Sequence, residues 1–218
     1  MNYSSTTFEG ESFSQQDLQY AHFEKCAFYN CDFSRCDLRE AQFIDCRFIE
    51  RGAIEGCSFE YANLKDASFK DCQLSFGYFV GANCFGAEFR NCDMKGVNFL
   101  KANFTNRVSH QVYFCSAYIT GCNLSYSNFE MACLEKCELF ENRWSGANLN
   151  NASLRGSDLS RGEFSPESWG TFRLENCDLT NVELQGLDIR RVSLEGVKIC
   201  DWQQEQLLEP FGLIVLPG

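Results

Sequence analysis

Residues 21–48 read AHFEK CAFYN CDFSR CDLRE AQFID CRF, and the spacing in that stretch decides the fold. Every fifth residue is large and apolar: Phe23, Phe28, Phe33, Leu38, Phe43 and Phe48. Two residues before each stands a small one, in turn Ala21, Cys26, Cys31, Cys36, Ala41 and Cys46. A period of five suits neither an amphipathic helix nor an alternating strand. It suits a short extended side followed by a corner. Residues two apart on an extended segment point to the same face, so the small and the large residue both turn inward. Sides then wind into coils, and coils stack at the strand spacing of about 4.8 Å, piling equivalent side chains into ladders.

The pattern runs outward from this stretch in both directions. Upstream, the large column begins at Phe8, Phe13 and Leu18. Beyond Phe48 the phase slips by one residue and resumes at Ile54, Phe59, Leu64, Phe69, Leu74 and Phe79, reaching Phe104 with Cys84 and Met94 as softer members. A third run goes from Phe114 to Ile199, with Trp144 and Trp169 in the large column. Ten of the fourteen cysteines fall in the small column, where a thiol serves as a small buried hydrophobe. There is no C-x-x-C pair of the kind that binds zinc, so neither metal nor cofactor is expected.

Bulk composition narrows the function classes. The 218 residues are 44% hydrophobic, with 21 Phe and only 3 Pro, and carry a formal charge of −11. Phosphate backbones repel such a chain, so no direct nucleic-acid binding is expected, and a basic surface is the natural partner. The start, MNYSSTTFEG, lacks a charged segment followed by an apolar run, so no signal peptide is expected. No apolar stretch approaches the length of a membrane span; cytoplasmic localisation is the expectation. His22 and His110 lie far apart, and phosphate-binding glycine motifs, nucleophile elbows and a distinctive carboxylate pair are missing, so the chain is not expected to be an enzyme.

The units CDFSR (31–35), CDLRE (36–40), ANLKD (62–66) and ANFTN (102–106) resemble the pentapeptide-repeat family over roughly residues 8 to 200. The resemblance implies an all-β fold, a right-handed quadrilateral β-helix with four units per coil. It would occupy residues 1–200, with 201–218 as a terminal helix and tail.

Two breaks interrupt the repeat: IERGAIEG (49–56), after Phe48, and TNRVSHQVY (105–113), after Phe104. In the second, the expected inward sites would be Arg107 and Ser109, poor core residues, so each break reads as a loop leaving the coil. The stretches FIERGAIEGC (48–57), RVSHQVYFCSAYITGCNL (107–124), CLEKCELFENRW (133–144) and VKICDWQQEQLLEP (197–210) resemble the Qnr quinolone-resistance proteins, which carry two such loops. That resemblance implies binding to DNA gyrase and topoisomerase IV as a partial DNA mimic, protecting them from quinolones. It places the enzyme-binding loops at Ile49, Glu50, Arg51, Gly52, Ala53, Ile54, Glu55 and Gly56 and at Thr105, Asn106, Arg107, Val108, Ser109, His110, Gln111, Val112 and Tyr113. Within them Arg51, Glu55, Arg107, His110 and Tyr113 are the side chains best suited to polar or aromatic contacts. The alternative on the same scaffold is a gyrase inhibitor or toxin-immunity protein without drug protection.

The position before each large residue points outward and is rich in acids: Asp17, Asp32, Asp37, Glu88, Asp93, Glu138, Asp158, Glu163, Asp178, Glu183 and Asp188, against Arg47, Arg143, Arg173 and Lys198. These acids either bond neighbouring backbone groups or form the DNA-like surface. About nine coils at ~4.8 Å give a rod of roughly 45 Å. Near Pro166 and Glu167 the small column fails, which predicts a local bulge over 165–172. After Ile199 a short helix is expected over 201–209, with Asp201 as its N-cap and Pro210 and Gly212 ending it. Trp202, Leu207, Leu208, Phe211, Leu213, Ile214, Val215 and Leu216 are too apolar for a free tail, and are expected to cap the coil, to form a homodimer, or both.

Overall fold

The computed structural model describes residues 1–109 and 112–216. Its strands are three or four residues long: β1 (Asn2–Ser4), β2 (Thr7–Glu9), β3 (His22–Glu24), β4 (Ala27–Tyr29), β5 (Gln42–Ile44), β6 (Ser68–Lys70), β7 (Ala87–Arg90), β8 (Thr105–Arg107), β9 (Tyr113–Cys115) and β10 (Ala117–Thr120). One parallel sheet runs β1-β3-β5-β6-β7-β10, and β2 pairs with β4. Phe23 aligns with Tyr3 and with Phe43, each 20 residues away, so one coil is four units of five. Isolated parallel bridges such as Asp17 to Asp37 and Ser12 to Asp32 continue the same offset on the other sides. The four sides, taken in chain order from Tyr3, Phe8, Phe13 and Leu18, are called faces 1 to 4 below.

Inside, the large residues stack as expected. Phe23, Phe43, Phe69 and Phe89 form one column of near-parallel rings, with centroids 4.9, 4.7 and 5.0 Å apart. Phe33, Phe59, Phe79, Phe99 and Phe129 form another, at 4.7–4.9 Å. Rings of different columns meet edge-on, as Phe28 does with Phe33 at 5.2 Å, which is the geometry that ring quadrupoles favour. The small-column cysteines are buried and free. Their thiols bond the carbonyls of the coil: Cys46 Sγ donates to Phe23 O and Cys177 Sγ to Leu154 O. Burial pushes the Cys36 and Cys137 thiols up to about 12, as befits inert core groups.

Corners are built by a feature the five-residue pattern hides. The second residue after most large ones is left-handed, with φ between +51° and +62° at the non-glycine sites; exceptions include the corners after Phe48 and Phe104, where the excursions leave, and those after Phe164, Trp169 and Ile189. At many corners, though not at those that follow Phe23, Phe43, Phe69 and Phe89 on face 1, the next residue donates back to the large one, Cys36 N to Phe33 O at 3.1 Å, as in a type II turn. This explains the Asn, Asp and Gly at such positions, among them Asn91, Asp66 and Gly96. At Gly96 glycine is required twice over: φ is +67°, and a Cβ would lie 2.7 Å from the Phe76 ring of the coil before.

Several sequence expectations need correction. Ile54 and Phe114 fall in phase with the large column yet are 81% and 48% exposed, because both lie in the excursions. Ile189 is also exposed. Between Ser165 and Phe172 the chain makes a short 3-10 turn at Pro166–Ser168. Glu167 points to solvent and Ser168 is buried instead. The bulge adds no residues, since Ser153 still bridges Arg173.

The coil ends in a plug. Asp201–Gln203 form a 3-10 turn leading into α1 (Gln204–Leu208) and a further turn at Glu209–Phe211, closed by left-handed Gly212. The N-cap position is Cys200 rather than Asp201: its N–H donates to Gln203 Oε1 at 2.6 Å. Gln203 is fully buried, and its Nε2 donates to Leu179 O and Val182 O at 2.9 and 2.6 Å. Gln206 Oε1 accepts from Leu184 N. These two side chains take up edge groups that a bare end of the helix would leave unpaired.

Candidate functional site

The two excursions leave the rod at different corners. Asp32 pairs with Ser58, 26 residues on instead of 20, so the first excursion adds six residues. Phe89 pairs with Ile119, 30 residues on, so the second adds ten. The first leaves after Phe48 on face 2, and the second after Phe104 on face 4. On a four-sided coil those corners are diagonally opposite.

The first excursion is a tight loop. Ala53 N donates to Glu50 O, Gly52 is left-handed at φ +87°, and Cys57 N donates to Phe48 O, closing the base at 3.1 Å. Gly56 N bonds Phe76 O on the next coil. A Cβ on Gly56 would stand 2.5 Å from Ser75 O and 2.8 Å from Gly77 N, so that position admits nothing larger.

The second excursion is a hairpin. Arg107 pairs with Tyr113 and Thr105 with Cys115 in antiparallel register, and Ser116 N bonds Phe104 O at its base. It therefore extends to Cys115, two residues past the expected 105–113. His110 and Gln111 lie outside the described residues. The returning strand β9 is held by side chains of the coils beside it. Tyr113 Oη donates to Glu135 Oε2 at 3.2 Å, Phe114 meets the Phe85 ring edge-on at 5.5 Å, and Cys115 Sγ lies 3.5 Å from Cys133 Sγ. The negative charges of Cys133 and Glu135 raise the Tyr113 phenol to about 12, so it stays a donor. Glu135 is in turn fixed by Ser153 Oγ and Arg155.

Arg51, Glu55, Arg107 and Tyr113 are exposed, as a contact role requires. Ile54, Val108 and Val112, placed in the loops but not among the side chains singled out for contact, are the apolar tips, 81, 68 and 54% exposed. Their isolation among polar neighbours was the available signal.

The acidic column divides among the four faces. Asp17 and Asp37 lie on face 4, Asp32 on face 3, and Asp93 and Glu163 on face 2. Face 1 bears the longest run on consecutive coils, Glu138, Asp158 and Asp178, with Glu88 beyond Tyr118. Many aspartates bond the N–H two residues on: Asp32 to Ser34, Asp158 to Ser160 and Asp178 to Thr180, at 2.8–3.0 Å. Others are paired, Asp37 with Arg39 and Glu163 with Arg143. Asp188 is held at about 2 by the Arg190 guanidinium. The local structural role is thus real.

A parallel four-sided coil with a five-residue period, broken at two corners by protruding loops and plugged by a helix, defines a pentapeptide-type β-helical solenoid. The pentapeptide repeat region profile matches residues 16–99, and the profile for eight pentapeptide repeats matches 142–165 and 172–196. The solved structure of full-length QnrB1, a plasmid-mediated fluoroquinolone resistance protein, is 44% identical over 98% of this chain and 100% of its own, with a TM-score of 0.92. The chain belongs to the pentapeptide-repeat family, and within it to the group of the Qnr quinolone-resistance proteins. A pentapeptide repeat protein of Vibrio parahaemolyticus, VPA0095, is 69% identical over 143 residues, 66% of each chain. QnrB4 of Escherichia coli is 47% identical over 83 residues, 38% of this chain and 39% of that one. The aligned stretches therefore span less than two thirds of these two relatives' lengths, whereas the QnrB1 match is end to end. No helix among the described residues is long and apolar enough to cross a membrane.

Proposed function

We propose that this protein binds DNA gyrase and topoisomerase IV in the cytoplasm and shields them from quinolones. The observation that carries the reading is the end-to-end likeness to QnrB1, together with two excursions that present exposed apolar and charged tips from opposite corners. The acids of face 1 steer the rod toward the positively charged DNA path of the enzyme. One charge per coil, about every 4.8 Å, is sparser than one per ~1.7 Å on DNA, so the mimicry is partial. The excursions then reach the enzyme and alter the drug-bound cleavage complex. The role is binding rather than catalysis.

Exposed Trp202, Phe211, Leu213, Ile214, Val215 and Leu216 support a homodimer through the C-terminal ends, because Gln203 and half-buried Leu207 already serve the cap and leave this patch uncovered. A two-fold contact would bury the same patch on both copies and double the rod.

The test is a gyrase supercoiling assay with ciprofloxacin, titrated with the full-length protein. Restored supercoiling at low protein concentration is the expected result. Inhibition without drug, and no rescue with it, would establish the alternative of an inhibitor on the same scaffold.

A further inference from the structure

We propose that Cys115 and Cys133 are a thiol pair that hydrogen peroxide converts to a disulfide, tying the second excursion to the coil beside it. Their sulfurs lie 3.5 Å apart, and a bond at about 2.05 Å needs an approach of only about 1.5 Å. One sulfur belongs to the returning strand β9, the other to the outward position of face 4, where Cys133 bridges Ser153. Both are outside the small column and only half-buried, so a small oxidant reaches them.

The contrast with the ladder cysteines is what singles the pair out. Cys26 and Cys177 are buried and give their S–H to backbone carbonyls. Where a neighbouring thiol lowers a ladder cysteine, as Cys57 does Cys31 and Cys72 does Cys46, both sulfurs of the pair are buried away from an oxidant. Burial also raises the Cys84 thiol far above neutrality. At the pair, the hydrogen bond between the two thiols lowers Cys133 to about 7, despite opposing burial and the neighbouring Glu135 charge. A thiolate is the nucleophile toward peroxide, so Cys133 attacks first.

The chemistry balances without a further reactant. The Cys133 thiolate attacks one peroxide oxygen; an S–O bond forms, the O–O bond breaks, and hydroxide leaves to become water on protonation. Cys133 is now a sulfenic acid and the peroxide has been reduced. Cys115 then gives up its proton and attacks the sulfenic sulfur; the S–S bond forms and the S–O bond breaks, with hydroxide leaving as water. Two thiols and one peroxide yield one disulfide and two waters.

The experiment uses purified, reduced full-length protein, treated with hydrogen peroxide and then alkylated. Trypsin cannot separate the pair, since no Lys or Arg lies between Arg107 and Lys136. A protease cutting after glutamate separates them at Glu130. The expected product is a Cys115 peptide linked to a Cys133 peptide, two hydrogens lighter and reversed by dithiothreitol. Its yield is expected to exceed that of any other cysteine pairing by at least tenfold. Cys133→Ser abolishes the link. Cys115→Ser leaves a Cys133 sulfenic acid that dimedone traps, which keeps the assignment testable should the first variant fold poorly. Alkylation of both residues after oxidation, a sulfinic acid on Cys133 without a link, or links scattered among the ladder cysteines would each overturn the proposal.

Discussion

Deleting residues 106–115 takes ten residues from a coil whose pairing offset there is 30, and restores the offset of 20 found elsewhere. Thr105 and Ser116 then stand as the two corner residues between Phe104 and Ala117. What is lost is modest: the Tyr113–Glu135 bond, the Phe114–Phe85 ring contact and an exposed three-residue hairpin. Surface contacts of this kind contribute about 0.5–1 kcal/mol each. Against them, shortening the connection from twelve residues to two regains roughly 1.6 kcal/mol of closure entropy. The net change is therefore expected within about 2 kcal/mol of zero. Deleting 105–113 instead removes nine residues and leaves three in a two-residue corner. The extra residue disrupts the Ser116 N to Phe104 O and Gly86 N to Ser116 O bonds, costing about 2–3 kcal/mol more. Urea denaturation followed by far-UV circular dichroism separates the two variants. The ten-residue deletion is also expected to abolish protection in the supercoiling assay. Equal stability of both variants would refute the register argument, and full protection by the ten-residue deletion would remove the second excursion from the site.

Four other perturbations test other links. Phe69→Ala, between Phe43 and Phe89 at 0% exposure, is expected to cost about 3–5 kcal/mol in urea titration, through lost burial and a cavity in the ring column. Gln203→Ala unpairs Leu179 O, Val182 O and Cys200 N together and is expected to lower stability by about 2–4 kcal/mol; a loss under 1 kcal/mol would show that the plug is dispensable. Gly56→Ala forces a Cβ against backbone at 2.5 Å, and is expected to cost about 1–3 kcal/mol and to reduce protection more than its stability loss explains. Changing Glu138, Asp158 and Asp178 together to Lys is expected to weaken gyrase binding at low salt and flatten its salt dependence, whereas unchanged low-salt affinity would reject electrostatic steering by face 1.

The inward columns were legible because five-residue spacing projects directly onto a four-sided coil, and nearly every predicted ladder residue from Leu18 to Val182 is buried. The misplaced ladder residues Ile54 and Phe114 have one cause. Spacing reports phase, so a residue of an excursion that happens to fall five or ten positions from a true ladder member cannot be told from one. The second excursion adds ten residues, two full periods, so Phe114 continues the column in sequence while pointing to solvent in space. Ile54 was misplaced in the same way, five residues before Phe59 but still within the loop. The end of the second excursion was set at Tyr113 because pairing of β8 with β9 is a long-range fact that composition does not carry. Gln203 was missed because a glutamine serving as a core plug resembles any helix-surface glutamine until its carbonyl partners are known. The distribution of acids over four faces required only the 20-residue offset, which the family resemblance implied and the column count alone did not use.

Under the proposed function, the two corner excursions would also answer a problem of alignment. A rod whose faces recur every coil offers a partner many near-equivalent seats, each displaced by one coil along the axis. With about nine coils, that translational degeneracy would spread binding over a ladder of frames separated by ~4.8 Å and blur any geometric outcome. Protrusions that occur once each, on opposite edges and on different coils, would remove it for a partner that engages both, since only one axial position and one rotation would seat the two together. The excursions thus act as index marks on an otherwise uniform scale. A variant lacking both is expected to lose its fixed frame while keeping its charge.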